Sequence, residues 1–99
     1  MTDNILSFIS IARKAGKVNT GEFLTEKDIK SGHSHLVIFA EDISENAFDK
    51  ISSMCKAKNV PFRVYGNMES LGRATGKSFA ACLSFQNKGF AESLLKKLS

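Results

Sequence analysis

No run of apolar residues in this 99-residue chain is long enough to cross a bilayer. The first thirteen residues, interrupted by Ser7 and Ser10, are too short an apolar stretch for a signal peptide. A cytoplasmic protein with no membrane partner is therefore expected. Cysteine is scarce too: Cys55 and Cys82 stand without CxxC spacing, so both read as buried, reduced thiols acting as small hydrophobes. Histidine occurs only as His33 and His35, and no cysteine or acid cluster stands ready to complete a metal site around them. Nothing beyond the presence of the residue types suggests a Ser/His/Asp triad. No internal repeat, linker or low-complexity segment interrupts the chain.

What is present suits a single domain over residues 1–99 with an ordinary apolar share and a proper core. The net charge of +4 and pI near 9.2 permit a nucleic-acid partner without demanding one, so the placement of the charge has to decide. From Asn4 to Lys14 the apolar Ile5, Phe8, Ile9 and Ala12 recur at helical spacing, with Thr2 or Asp3 as cap and Gly16 as stop. Lys17–Asn19 leaves room for only a very short strand, and a second helix runs from Thr20 to Gly32. In that helix Leu24, Thr25 and Ile29 point one way and Phe23, Lys27 and Lys30 the other.

His35 to Ala40, with its unbroken apolar run Leu36-Val37-Ile38-Phe39-Ala40, is short, as a strand buried on both faces requires. Ser44 then caps a helix with the core stripe Ala47, Ile51, Met54 and Cys55, closed by Asn59-Val60-Pro61, and Phe62–Tyr65 is the next strand. This strand, helix, strand order makes a parallel crossover unit. Asn67 caps a short helix through Ala74, Phe79–Phe85 reads as a strand, and Asn87 caps a last helix whose Ala91, Leu94, Leu95 and Leu98 face inward. The expected fold is α/β, a three-layer α/β/α sandwich with a small mixed sheet.

The functional signal is concentrated in Arg13-Lys14-Ala15-Gly16-Lys17 and the helix after it. A helix start exposes unpaired N–H groups and a partial positive charge, so Arg13, Lys14, Lys17 and Lys27 gathered around its mouth would make a phosphate site. A second candidate fails. Gly72-Arg73-Ala74-Thr75-Gly76-Lys77-Ser78 is one residue short of a nucleotide-binding P-loop and joins a helix to a strand, so no helix N-terminus faces the phosphates. As a loop carrying Arg73 and Lys77 it still adds positive charge. Neither a catalytic residue, a cofactor nor a small-molecule substrate is expected.

The run Ile11–Lys17, then Thr20-Gly21-Glu22, Lys27, Gly32, Leu36–Asn46, Cys55, Asn59-Val60-Pro61 and Leu71-Gly72 resembles the ribosomal protein L7Ae/L30e family, and within it the small bacterial YlxQ-like branch. The likeness spans nearly the whole chain. It implies a non-enzymatic RNA-binding protein whose partner is structured RNA, typically a kink-turn, in the ribosome or another ribonucleoprotein. Carried over by position, it points to Gly21, Glu22 and Lys27 at the helix mouth with Lys14 and Lys17 beside them. It adds Glu41, Asp42 and Ile43 in one flanking loop and Lys77, Ser78 and Phe79 in another. Phe23 and Lys30 share the outward face with Lys27.

The chain departs from the family's strong kink-turn binders at one point: they carry Asn-Glu where this sequence has Phe23 and Leu24, and neither of these reads a base edge. Leu24 is expected to turn into the core, and Phe23 either stacks on a base or packs against a neighbouring loop. The alternative reading is a protein-interaction adaptor on the same fold, anchored by Phe23, with only weak, non-specific affinity for RNA.

Overall fold

The segment Leu36–Phe39 forms β2, a strand with every side chain buried, and the layers assemble on its two faces. The computed structural model describes residues 3–99. In order they form α1 (Asn4–Lys14), β1 (Val18–Thr20), α2 (Glu22–Ser31), β2, α3 (Glu45–Lys58), β3 (Phe62–Val64), α4 (Met68–Ala74), β4 (Cys82–Phe85) and α5 (Lys88–Leu98). The sheet has the order β1-β4-β2-β3. β2 pairs parallel with β3 and antiparallel with β4, so the sheet is mixed as expected.

Strand periodicity sorts the core in two. Leu36 and Ile38 join Leu83 and Phe85 on the face covered by α1, α4 and α5, where Ile9, Ala12, Leu71, Ala91 and Leu94 fill the layer. Val37, Phe39 and Cys82 face Ile29, Ile51 and Cys55 of α2 and α3. There Phe39 meets Phe48 and Phe62 edge-on at centroid separations of 4.8 and 5.7 Å, the geometry aromatic quadrupoles favour. Both cysteines are free and buried, and burial pushes each thiol up to about 11.

Four helix starts are capped by side chains: α1 by Asp3, α3 by Ser44, α4 by Asn67 and α5 by Asn87. Thr2, the other candidate cap of α1, lies outside the described residues.

Several boundaries differ from the sequence reading, β2 for instance covering Leu36–Phe39 without His35 and Ala40. Thr20 is the last residue of β1, because it pairs with Leu83, and α2 begins only after Gly21. The second parallel-unit strand stops at Val64. The last strand begins at Cys82 rather than Phe79, because the backbone at Phe79 is pressed against α4: a Cβ built on Gly72 would lie 2.4 Å from the Phe79 Cα. Among the described residues, no helix is long and apolar enough to cross a membrane.

Candidate functional site

Strand register brings three chain segments to one end of the sheet. Thr20 pairs with Leu83 and Phe39 with Cys82, so the start of α2, the loop after β2 and the loop before β4 emerge side by side. Backbone hydrogen bonds hold them together. Gly21 N–H donates to Cys82 O at 2.9 Å, and Ala40 N–H donates to Ala81 O at 2.9 Å. Glu41 N–H donates to Gly66 O at 2.8 Å, which ties the β2 loop to the segment before α4.

The helix mouth itself is open. Gly21, the N-cap of α2, sits at φ 92°, a conformation that favours glycine, and among the described residues no side chain accepts from the first N–H groups of the helix. A Cβ at Gly21 would meet nothing within 4 Å, so its requirement is conformational rather than steric. The dipole of α2 therefore presents its positive end to solvent.

The carried-over residues fall into two groups. Gly21, Glu22, Phe23 and Lys27 stand at the mouth or on the first turns of α2, and Lys30 continues their face. Glu41 is exposed in the β2 loop, whereas Asp42 is engaged: its Oδ1 accepts from Met68 N–H at 2.8 Å and secures the start of α4. Ile43 is half-buried against the α2/α3 core. Lys77, Ser78 and Phe79 are exposed in the opposite loop, with Phe79 68% accessible.

Lys14 and Lys17 are not with them. Lys17 O accepts from Gln86 N–H, and Val18 pairs with Phe85, so the basic turn lies at the far end of β1. Four residues of extended chain, roughly 13 Å, separate Lys17 from Gly21. Arg13 is bound in place, its Nη1 donating to Val18 O at 2.8 Å.

Two further corrections concern α2. Leu24 does not enter the core but remains 36% accessible: the buried stripe is Thr25, Asp28 and Ile29, and Leu24 falls outside it. Phe23 does not pack on a neighbouring loop, being 79% accessible. It lines a groove of about 730 Å³ on the outer side of α2 and α3, with Lys27, Lys30 and Lys50.

Sequence reasoning missed the polar support under this helix. Asp28 is buried and accepts from Asn19 Nδ2 at 3.0 Å and from Gln86 Nε2 at 3.2 Å, joining α2 to β1 and to the end of β4. Nearby, Ser84 Oγ donates to Ser34 Oγ at 2.9 Å, and Cys82 lies 3.6 Å from Thr25 Oγ1. The only signal for it was a carboxylate on the inward stripe of an amphipathic helix. Lys50, which pairs with Glu26 at 3.3 Å, was also missed because it comes from α3. Among the described residues no group of three or more His, Cys, Asp or Glu is placed to hold a metal ion.

An open helix N-terminus flanked by two loops at one end of a mixed α/β/α sheet defines a class of protein. The chain belongs to the ribosomal protein L7Ae/L30e/S12e/Gadd45 family, whose profile matches residues 3–95. It is 32% identical over 90 residues to the RNA-binding protein YlxQ of Bacillus subtilis (strain 168), covering 91% of this chain and 90% of that one. Among solved structures, a protein with unknown function from Bacillus halodurans C matches with a TM-score of 0.90 at 30% identity, covering 93% of each chain. The Giardia lamblia 15.5kD RNA binding protein shares the fold, with a TM-score of 0.79 at 20% identity, over 98% of this chain and 89% of that one.

Proposed function

We propose that this chain is a non-enzymatic RNA-binding protein that recognises structured RNA, a kink-turn or a related internal loop, within the ribosome or another cytoplasmic ribonucleoprotein. The observation that carries the reading is the uncapped start of α2 held by backbone hydrogen bonds between the β2 and β4 loops. Family membership and the relative named as an RNA-binding protein support it.

In this reading the first N–H groups of α2 contact a phosphate, and Lys27, Lys30 and Lys77 neutralise its neighbours. Glu22, Glu41, Ser78 and Phe79 meet bases left unstacked at the internal loop, where single-stranded edges and faces are accessible. With Phe23 and Leu24 in place of Asn-Glu, recognition rests on backbone amides, charge and shape rather than on side-chain readout of guanine edges.

The test is a titration at one stated salt concentration with a kink-turn RNA and with the same hairpin carrying Watson–Crick pairs in place of its G·A pairs. Tighter binding to the kink-turn is expected. Equal binding to both would remove the specificity and leave only electrostatic attraction, and binding to neither would refute the function.

A further inference from the structure

We propose that the groove between α2 and α3 holds one unpaired nucleotide of the bound RNA, with its base laid on the Phe23 ring and its phosphates on Lys27 and Lys30. The inference rests on the RNA-binding reading and adds to it a site away from the sheet-end loops.

The groove begins at the helix mouth, since Phe23 is the second residue of α2, and continues along the outer face of the helix. Phe23, Lys27 and Lys30 follow at i, i+4 and i+7, so they form one stripe roughly 10 Å long. Lys50 of α3 faces this stripe from the other wall.

The charges are segregated along the groove, and that selects the occupant. At the inner wall Glu26, only 17% accessible in its side chain, is neutralised by Lys50. Lys27 and Lys30 are paired with no acid among the described residues, so two free cations follow Phe23 along the helix. At the mouth stand an open aromatic face and the exposed carboxylate of Glu22. An acidic peptide would bring negative charge to Glu22 as well as to the lysines. A nucleotide divides its chemistry as the groove does, with an aromatic ring bearing N–H donors at one end and an anion at the other.

The ring of Phe23 supplies stacking that tolerates any base. Glu22 adds a preference, because a carboxylate accepts from an exocyclic amino group and meets only repulsion from carbonyl oxygens. Adenine, cytosine and guanine carry that amino group, whereas uracil offers a carboxylate only its N3–H, flanked on both sides by carbonyl oxygens. The sequence thus replaces a pair of side chains that read a guanine edge with a stacking surface bordered by an acceptor.

The experiment uses a kink-turn RNA in which each loop nucleotide is replaced in turn by an abasic residue, titrated against the full-length protein and its Phe23→Ala and Phe23→Tyr variants. Because Phe23 is so exposed, neither substitution disturbs the fold. One abasic position should weaken binding by the natural protein and by Phe23→Tyr roughly 5- to 100-fold, while leaving Phe23→Ala, already weaker, unchanged. Uridine at that position should bind more weakly than adenosine, and Glu22→Gln should remove the difference. If Phe23→Ala binds every RNA as tightly as the natural protein, or loses the same factor on all of them, the groove holds no nucleotide although the RNA-binding reading stands. If the natural protein binds none of the RNAs, that reading falls and this inference with it.

Discussion

The Tyr65 hydroxyl donates to Asp3 Oδ2 at 2.5 Å, across 62 residues of sequence. The other carboxylate oxygen of Asp3 accepts from Ile5 and Leu6 N–H at 2.8 and 3.0 Å, so one side chain both caps α1 and fastens it to the segment following β3. The Tyr65 hydrogen bond, followed by that from Leu6, holds the Asp3 carboxyl below its ordinary value of 3.8. The same contact, with some burial, pushes the Tyr65 phenol from 10.0 up to about 12.

These shifts give opposite signs at the two ends of the pH scale. A carboxylate with a lowered folded-state pKa stabilises fully above 3.8 and loses that contribution as pH falls through the folded value. A phenol with a raised one stabilises fully below 10.0 and loses it as pH rises through about 12. Tyr65→Phe should cost about 1 kcal/mol at neutral pH, the worth of one charge-assisted hydrogen bond at a partly exposed site. Urea unfolding across pH should show a smaller loss of stability between pH 10 and 12 for the variant than for the natural protein. Parallel curves would show that the pair is not coupled to folding.

Gly72→Ala is the most damaging small substitution expected. Its Cβ would meet the Phe79 backbone at 2.4 to 2.8 Å, and backbone cannot swing aside as a side-chain end can. The loss should be about 1 to 3 kcal/mol in urea unfolding, with faster amide exchange in residues 77–81. A variant as stable as the natural protein would show that the loop before β4 is not pinned by α4.

Asp28 is the polar fastening of α2. Asp28→Ala leaves the amides of Asn19 and Gln86 without their acceptor in a partly buried setting and should cost about 1 to 2 kcal/mol. Because the change loosens the helix that carries the open mouth, RNA affinity should fall in parallel, which a titration alongside the unfolding curve would check.

Lys27→Ala should weaken RNA binding and lower the salt slope by about one unit, as loss of one phosphate contact does. Lys14→Ala and Lys17→Ala should change neither by a comparable amount, since the strand β1 carries them to the other end of the sheet. Equal losses from all three would place the RNA along the β1 edge instead of at the end of the sheet.

Features fixed by neighbouring residues were legible in the sequence. The caps Asp3, Ser44, Asn67 and Asn87, the core stripe of α1 and the doubly buried run Leu36–Phe39 announce themselves through local chemistry and periodicity. What depended on distant partners was not legible. The late start of β4 comes from Gly72 meeting Phe79, and the burial of Asp28 from amides 9 and 58 residues away. The turn lysines seemed adjacent to the helix mouth because the sequence displays proximity along the chain, while the antiparallel pairing of β1 with β4 converts it into separation.

The missing cap of α2 has a thermodynamic reading as well. Four helices of this fold complete their first turns from their own side chains, and the fifth leaves that task to whatever arrives from outside. Evolution cannot simply repair the gap, because Gly21 at φ 92° strains any side chain long enough to cap. If RNA docks there as proposed, the first turn of α2 gains its missing acceptors only in the complex, and part of the binding free energy becomes stability of the fold.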